Sequence, residues 1–80
     1  MNIKELRKIT NRDKFSEMPL STQALYFHLA LNADKDNFVR NPKAIQRFLE
    51  ADDEDLEILI YLNYISENED YGVTLNNYRG

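Results

Sequence analysis

The chain has 80 residues, 42% hydrophobic and 11% aromatic, with ten Lys/Arg against fourteen Asp/Glu and a formal net charge of -4. That length allows one domain with one modest core, and the composition is too apolar for a disordered chain. The absence of cysteine excludes disulfide staples and thiolate metal sites.

The charge is segregated. Residues 1–50 hold nine Lys/Arg and six Asp/Glu, whereas residues 51–80 hold one Arg and eight Asp/Glu. The apolar runs fall far short of the ~20 residues that cross a bilayer. The opening MNIKELRKIT lacks the apolar stretch of a signal peptide. These features predict a cytoplasmic protein with no membrane partner.

Residues 1–19 form a basic segment with short helical turns. Lys4, Arg7, Lys8, Arg12 and Lys14 alternate with Ile3, Leu6, Ile9 and Phe15. Asn11 or Asp13 is placed to cap a second turn, and Pro19 ends it. A domain over residues 20–76 follows, with a tail at 77–80. Ser21 is the predicted cap of the next helix, whose ALYFHLALNA stretch is apolar around nearly the whole circumference. Such a helix is expected to be central and buried on most sides.

Asp34, Asp36 and Asn37 then mark a turn, and Phe38-Val39 a short extended piece. Asn41-Pro42 opens another helix, with Pro at the first helical position. Its predicted apolar stripe is Ala44, Ile45, Phe48 and Leu49, leaving Lys43, Gln46, Arg47 and Glu50 facing water. After a connection of about three residues, Ala51-Asp52-Asp53, a third major helix begins. Asp52 or Asp53 caps it, and Glu54 and Asp55 favour the positive end of its dipole. Leu56, Leu59, Ile60 and Asn63 follow helical spacing. So short a turn predicts a steep crossing, as in a helix-turn-helix. Tyr64-Ile65 and Tyr71 to Leu75, around a polar tip, read as a β-hairpin. The expected class is mainly α with a small β-hairpin (α+β), in the element order of a winged helix-turn-helix.

The stretch ITNRDKFSEMPLSTQALYFHLALNADKDNFV, then NPKAIQRFLEADDEDLEILI, then a hairpin ending in GVTL resembles the N-terminal domain of phage replisome organisers, relatives of the DnaD-type primosome proteins. MPLSTQALYFHL followed by NPKAI is the specific part, and the resemblance runs from Ile9 to Leu75. It implies a winged helix active in starting phage DNA replication, with DNA binding and self-association. Family members continue past the hairpin into a basic, aromatic tail and a further domain, whereas this sequence reads Asn76-Asn77-Tyr78-Arg79-Gly80 there.

Nothing in the residues points to catalysis. His28 is the only histidine and sits on an apolar helix, so nucleophilic schemes lack a partner motif. The run Asp52, Asp53, Glu54, Asp55 and Glu57 lacks the alternation and the glycine turn of a calcium loop. With only Gly72 and Gly80, no phosphate-binding loop is present. No enzyme activity, cofactor or metal is therefore expected.

Two readings remain. In the first, Lys4, Arg7, Lys8, Arg12, Lys14, Arg40, Lys43 and Arg47 contact DNA phosphates. In the second, Asp53, Glu54, Glu57, Ile58 and Tyr61 dock a basic host or replication protein, in part by imitating the charge of DNA. The acids at the start of the third helix oppose the usual insertion of that helix into a major groove.

Overall fold

The computed structural model describes residues 2–76 and, at Asp13, the backbone alone; the tail 77–80, with Tyr78, lies outside the described residues. In chain order the elements are α1 (Ile3–Thr10), α2 (Asp13–Ser16), α3 (Leu20–Leu31), β1 (Phe38–Val39), α4 (Pro42–Phe48), α5 (Asp53–Tyr61), β2 (Ile65–Glu67) and β3 (Val73–Leu75). The helices pack beside a small antiparallel sheet in the order β1-β3-β2. The hairpin expected from the sequence is therefore a three-stranded sheet. Phe38 pairs with Thr74 and Val39 with Val73, so β1 closes the free edge of β3.

The core is assembled from every part of the chain. Ile9, Phe15 and Met18 join Leu25, Tyr26, Leu29, Val39, Leu56, Leu59, Ile65, Val73 and Leu75. Phe15 is 2% exposed and meets Tyr26, Phe27 and Tyr64 edge-on at centroid distances of 5.5, 5.6 and 5.8 Å. Edge-on contacts bring a positive ring edge to a negative ring face. Burial first, and then the neighbouring Tyr64, push the Tyr26 hydroxyl well above its ordinary pKa.

Helix α3 departs from expectation in two ways. Its N-cap residue is Pro19, with no side-chain cap, and the Ser21 hydroxyl instead turns to Asp55 on α5. Nor is it buried on most sides. Thr22, Leu25, Tyr26 and Leu29 face the core, while Leu20, Ala24, Phe27 and Leu31 form an apolar stripe on the opposite, exposed side. Phe15 covers part of Phe27 on that face, while Leu20 and Leu31 stay largely exposed.

Helix α4 is rotated from its predicted setting. Its inward residues are Pro42, Ile45, Gln46 and Leu49, whereas Phe48 is 81% exposed. Gln46, expected in water, is buried and reaches across the turn to Asp53, 2.8 Å away, with its own Oε1 left without a partner. Asn41 occupies the N-cap position but makes no side-chain cap bond.

The turn between α4 and α5 is fixed by hydrogen bonds. Glu50 takes a left-handed φ of 57°, its amide donates to Arg47 O and that of Ala51 to Gln46 O. This is the Schellman termination, with Glu50 where glycine is usual. Helix α5 ends the same way, with Asn63 at φ 65° and the Tyr64 amide donating to Leu59 O. Its start is a capping box. The Asp52 side chain accepts from the backbone of Asp55, and Asp55 Oδ2 accepts from the Asp52 amide at 3.0 Å. No helix among the described residues is long and apolar enough to cross a membrane.

Candidate functional site

The cations fall into separate groups. On α1, Leu6 and Ile9 turn inward, while Lys4, Arg7 and Lys8, at i, i+3 and i+4, share the exposed side. The exposed Ile3 lies beside Arg7 on that side. Lys8 and Arg7 also sit in the last turn of α1, where positive charge complements the helix dipole. Arg12 lies between α1 and α2, close enough to Tyr64 to oppose the rise in that hydroxyl's pKa that burial causes. Lys14, on α2, lines a hollow of about 310 Å³ with Glu17, Met18, Pro19, Ile58 and Leu62. Lys14 thus lies near the C-terminal end of α5.

Arg40, Lys43 and Arg47 lie on α4 or just before it. Arg40 is exposed just before α4, and Arg47 is exposed in its last turn. Lys43 Nζ meets Asp53 Oδ1 at 3.0 Å, at the N-terminal end of α5. One predicted DNA contact is therefore paired with one predicted partner contact. Both side chains are largely exposed, so the pair adds little stability. Hydrogen bonds from Gln46 and then Lys43, with the Lys43 charge, hold the Asp53 carboxyl below its ordinary pKa.

The acids at the start of α5 have different tasks. Asp52 caps the helix. Asp53 is held by Lys43 and Gln46. Asp55 is 5% exposed and ties α5 to α3, its Oδ1 accepting from Ser21 Oγ at 2.8 Å and Thr22 Oγ1 at 2.6 Å. Burial raises the Asp55 pKa, but bonds from Thr22, Ser21 and the Asp52 amide outweigh it and the net shift is downward. Glu54 and Glu57 have no such task. They stand on the outer face of α5 with Tyr61, which is 84% exposed. With Ile58 and Leu62 they line a groove of about 570 Å³.

Four of the five predicted partner residues, Glu54, Glu57, Ile58 and Tyr61, thus share one groove, and Asp53 is drawn off toward α4. The sequence reading missed Leu62, Met18, Pro19 and Glu17 as neighbours of that surface. It also missed the buried role of Asp55. The Asp52-x-x-Asp55 spacing of a capping box was a usable signal for its local half. The bonds to Ser21 and Thr22 come from α3, and no local pattern announces them. His28 lies half-buried on α3. Among the described residues, no three His, Cys, Asp or Glu side chains converge as a metal site would require.

The chain matches no protein-family model, no curated protein and no solved structure.

Proposed function

We propose that this chain is a winged helix-turn-helix of the phage replisome-organiser type, a non-catalytic DNA-binding module that serves the start of DNA replication. The observation that carries the reading is the row of Lys4, Arg7 and Lys8 on the exposed side of α1, in a domain with this element order. The order of helix α3, β1, the tightly joined α4 and α5, and the β2-β3 hairpin, with β1 beside β3, supports the winged-helix reading. The resemblance of MPLSTQALYFHL and NPKAI to replisome organisers supports the replication role.

In this reading the duplex is gripped by its phosphates. Phosphate contacts set register and supply sequence-independent affinity. Helix α5, the usual groove reader, does not enter the DNA, because Glu54 and Glu57 project from its outer face and meet phosphate with like charge. Arg12 and Lys14 add to the N-terminal cations, and Arg40 and Arg47 form a second basic group that Lys43 joins only once released from Asp53.

Fluorescence anisotropy with a mixed-sequence duplex across a salt series tests this. Wild-type binding should weaken steeply with salt. The triple variant Lys4→Glu, Arg7→Glu and Lys8→Glu should bind more weakly and lose about 0.9 of slope in log K against log salt for each contact removed. No saturable binding at low salt, or an unchanged slope in the triple variant, would remove the reading.

A further inference from the structure

We propose that the groove along α5 docks a basic amphipathic helix from a partner protein, a surface separate from the cations of α1. The proposal does not depend on DNA binding, since none of Lys4, Arg7 and Lys8 lines this groove and Lys14 alone borders both surfaces.

The hollow lined by Glu54, Glu57, Ile58, Tyr61 and Leu62 adjoins the one lined by Lys14, Glu17, Met18 and Pro19, and the two share Ile58 and Leu62. Together they form a trough between α5 and the segment leading into α3. Its floor is apolar, from Ile58, Leu62 and Met18. Its rim is acidic, with Glu54 and Glu57 on one side and Glu17 on the other, against the single cation Lys14.

The rim acids are not there for the fold. Asp52, Asp53 and Asp55 supply the capping and the ties to α3 and α4. Lys43 is taken by Asp53, and neither Glu54 nor Glu57 has a cation within ion-pair distance among the described residues. Tyr61 stands beside them, 84% exposed, and tyrosine is enriched at binding hot spots. Placing a large aromatic in water next to two uncompensated carboxylates gains the isolated domain nothing.

The occupant follows from this chemistry. An aliphatic row at i, i+3, i+4 and i+7 fits the floor, and Lys or Arg on its flanks meets the glutamates. Helix-in-groove recognition uses this spacing. Helix α5 is about 13 Å long by its rise per residue, matching two to three turns of a partner helix. Complementary charge steers the encounter and fixes the orientation.

The test is a titration of the isotope-labelled full chain, followed by NMR, with a synthetic 15-residue helical peptide. The peptide carries leucines at the spacing above between flanking lysines; a second peptide has glutamate in place of lysine. The expected result is saturable shifts at Met18, Glu54, Glu57, Ile58, Tyr61 and Leu62 with the lysine peptide alone. The exposed double variant Glu54→Lys and Glu57→Lys should weaken binding about tenfold or more. Tyr61→Ala should weaken it without altering the circular dichroism spectrum, because the side chain lies outside the core. The proposal is overturned by no saturable binding of the lysine peptide, or by shifts confined to the outer stripe of α3. It is equally overturned by full affinity in the double variant. Concentration-dependent shifts at the groove without peptide, abolished by the double variant, would assign it to a second copy of the chain instead.

Discussion

Replacing Asp55 with alanine isolates the contact that fastens α5 to α3. Three donors converge on this carboxylate: Thr22 Oγ1 at 2.6 Å, Ser21 Oγ at 2.8 Å and the Asp52 amide at 3.0 Å. Losing half of the capping box costs about 1 kcal/mol. Thr22 is fully buried, so its hydroxyl is left without an acceptor at a further cost of about 1–3 kcal/mol. Ser21 is exposed and is rehydrated at little cost. The total of about 2–4 kcal/mol is a large share of the roughly 4–12 kcal/mol available to a chain of this length. Urea unfolding should show a lower midpoint with an unchanged slope. The double variant Asp55→Ala with Thr22→Val should recover about 1–2 kcal/mol relative to Asp55→Ala, because the orphaned hydroxyl is gone. A loss below about 0.5 kcal/mol, or strict additivity with Thr22→Val, would refute the buried-network account. The sign of the pH dependence follows from the lowered pKa. The folded pKa lies below the unfolded value of about 3.9. The stabilisation is therefore complete above that value and is lost as pH falls through the folded pKa. The stability gap between wild type and Asp55→Ala should narrow as the pH drops below about 4.

Phe15→Ala should remove the hub of three edge-on ring contacts, and truncating a buried phenylalanine costs about 3–5 kcal/mol. A thermal melt followed by circular dichroism should show a broad transition at much lower temperature; an unchanged melting temperature would mean that Phe15 is not part of the core. Gly72→Ala places a methyl 2.6 Å from the Phe38 ring and 2.9 Å from Val39 O, so β1 must shift away from β3. Overpacking of this kind costs about 1–3 kcal/mol. Amide exchange should speed up at Val39 and Val73 in that variant, and unaltered protection there would contradict the close packing of strand and glycine.

The sequence was most legible where one short stretch contains both the signal and its physical cause. Asn41-Pro42 marked the start of α4, because proline at the first helical turn loses no hydrogen bond. Asp52 marked the start of α5 through its carboxylate. The polar tip between Ile65 and Val73 marked the hairpin. Groove residues Glu54, Glu57 and Tyr61 were legible as an outer face, since helical spacing alone sets them opposite Leu56 and Leu59.

Elsewhere the deciding partner lay far along the chain. On α4, the stripe that counts from Pro42 through Ile45 and Gln46 to Leu49 competes with one through Phe48. The packing of α3 and the Gln46–Asp53 bond decide between them. The apolar circumference of α3 cannot announce which of its two stripes the core will use. Ser21 was a plausible cap by type, but α3 already begins at Leu20 with Pro19 at the N-cap position, and the Ser21 hydroxyl donates to Asp55 across the helix pair.

Element order, the starts of α4 and α5 and the turn positions were thus determined by local backbone chemistry, which acts within a few residues. The rotation of α4, the exposed second face of α3, the joining of β1 to β3 and the burial of Asp55 were decided only by the tertiary structure. Each depends on a contact between elements that the chain brings together only on folding, and their energies are comparable to or larger than the local preferences they override.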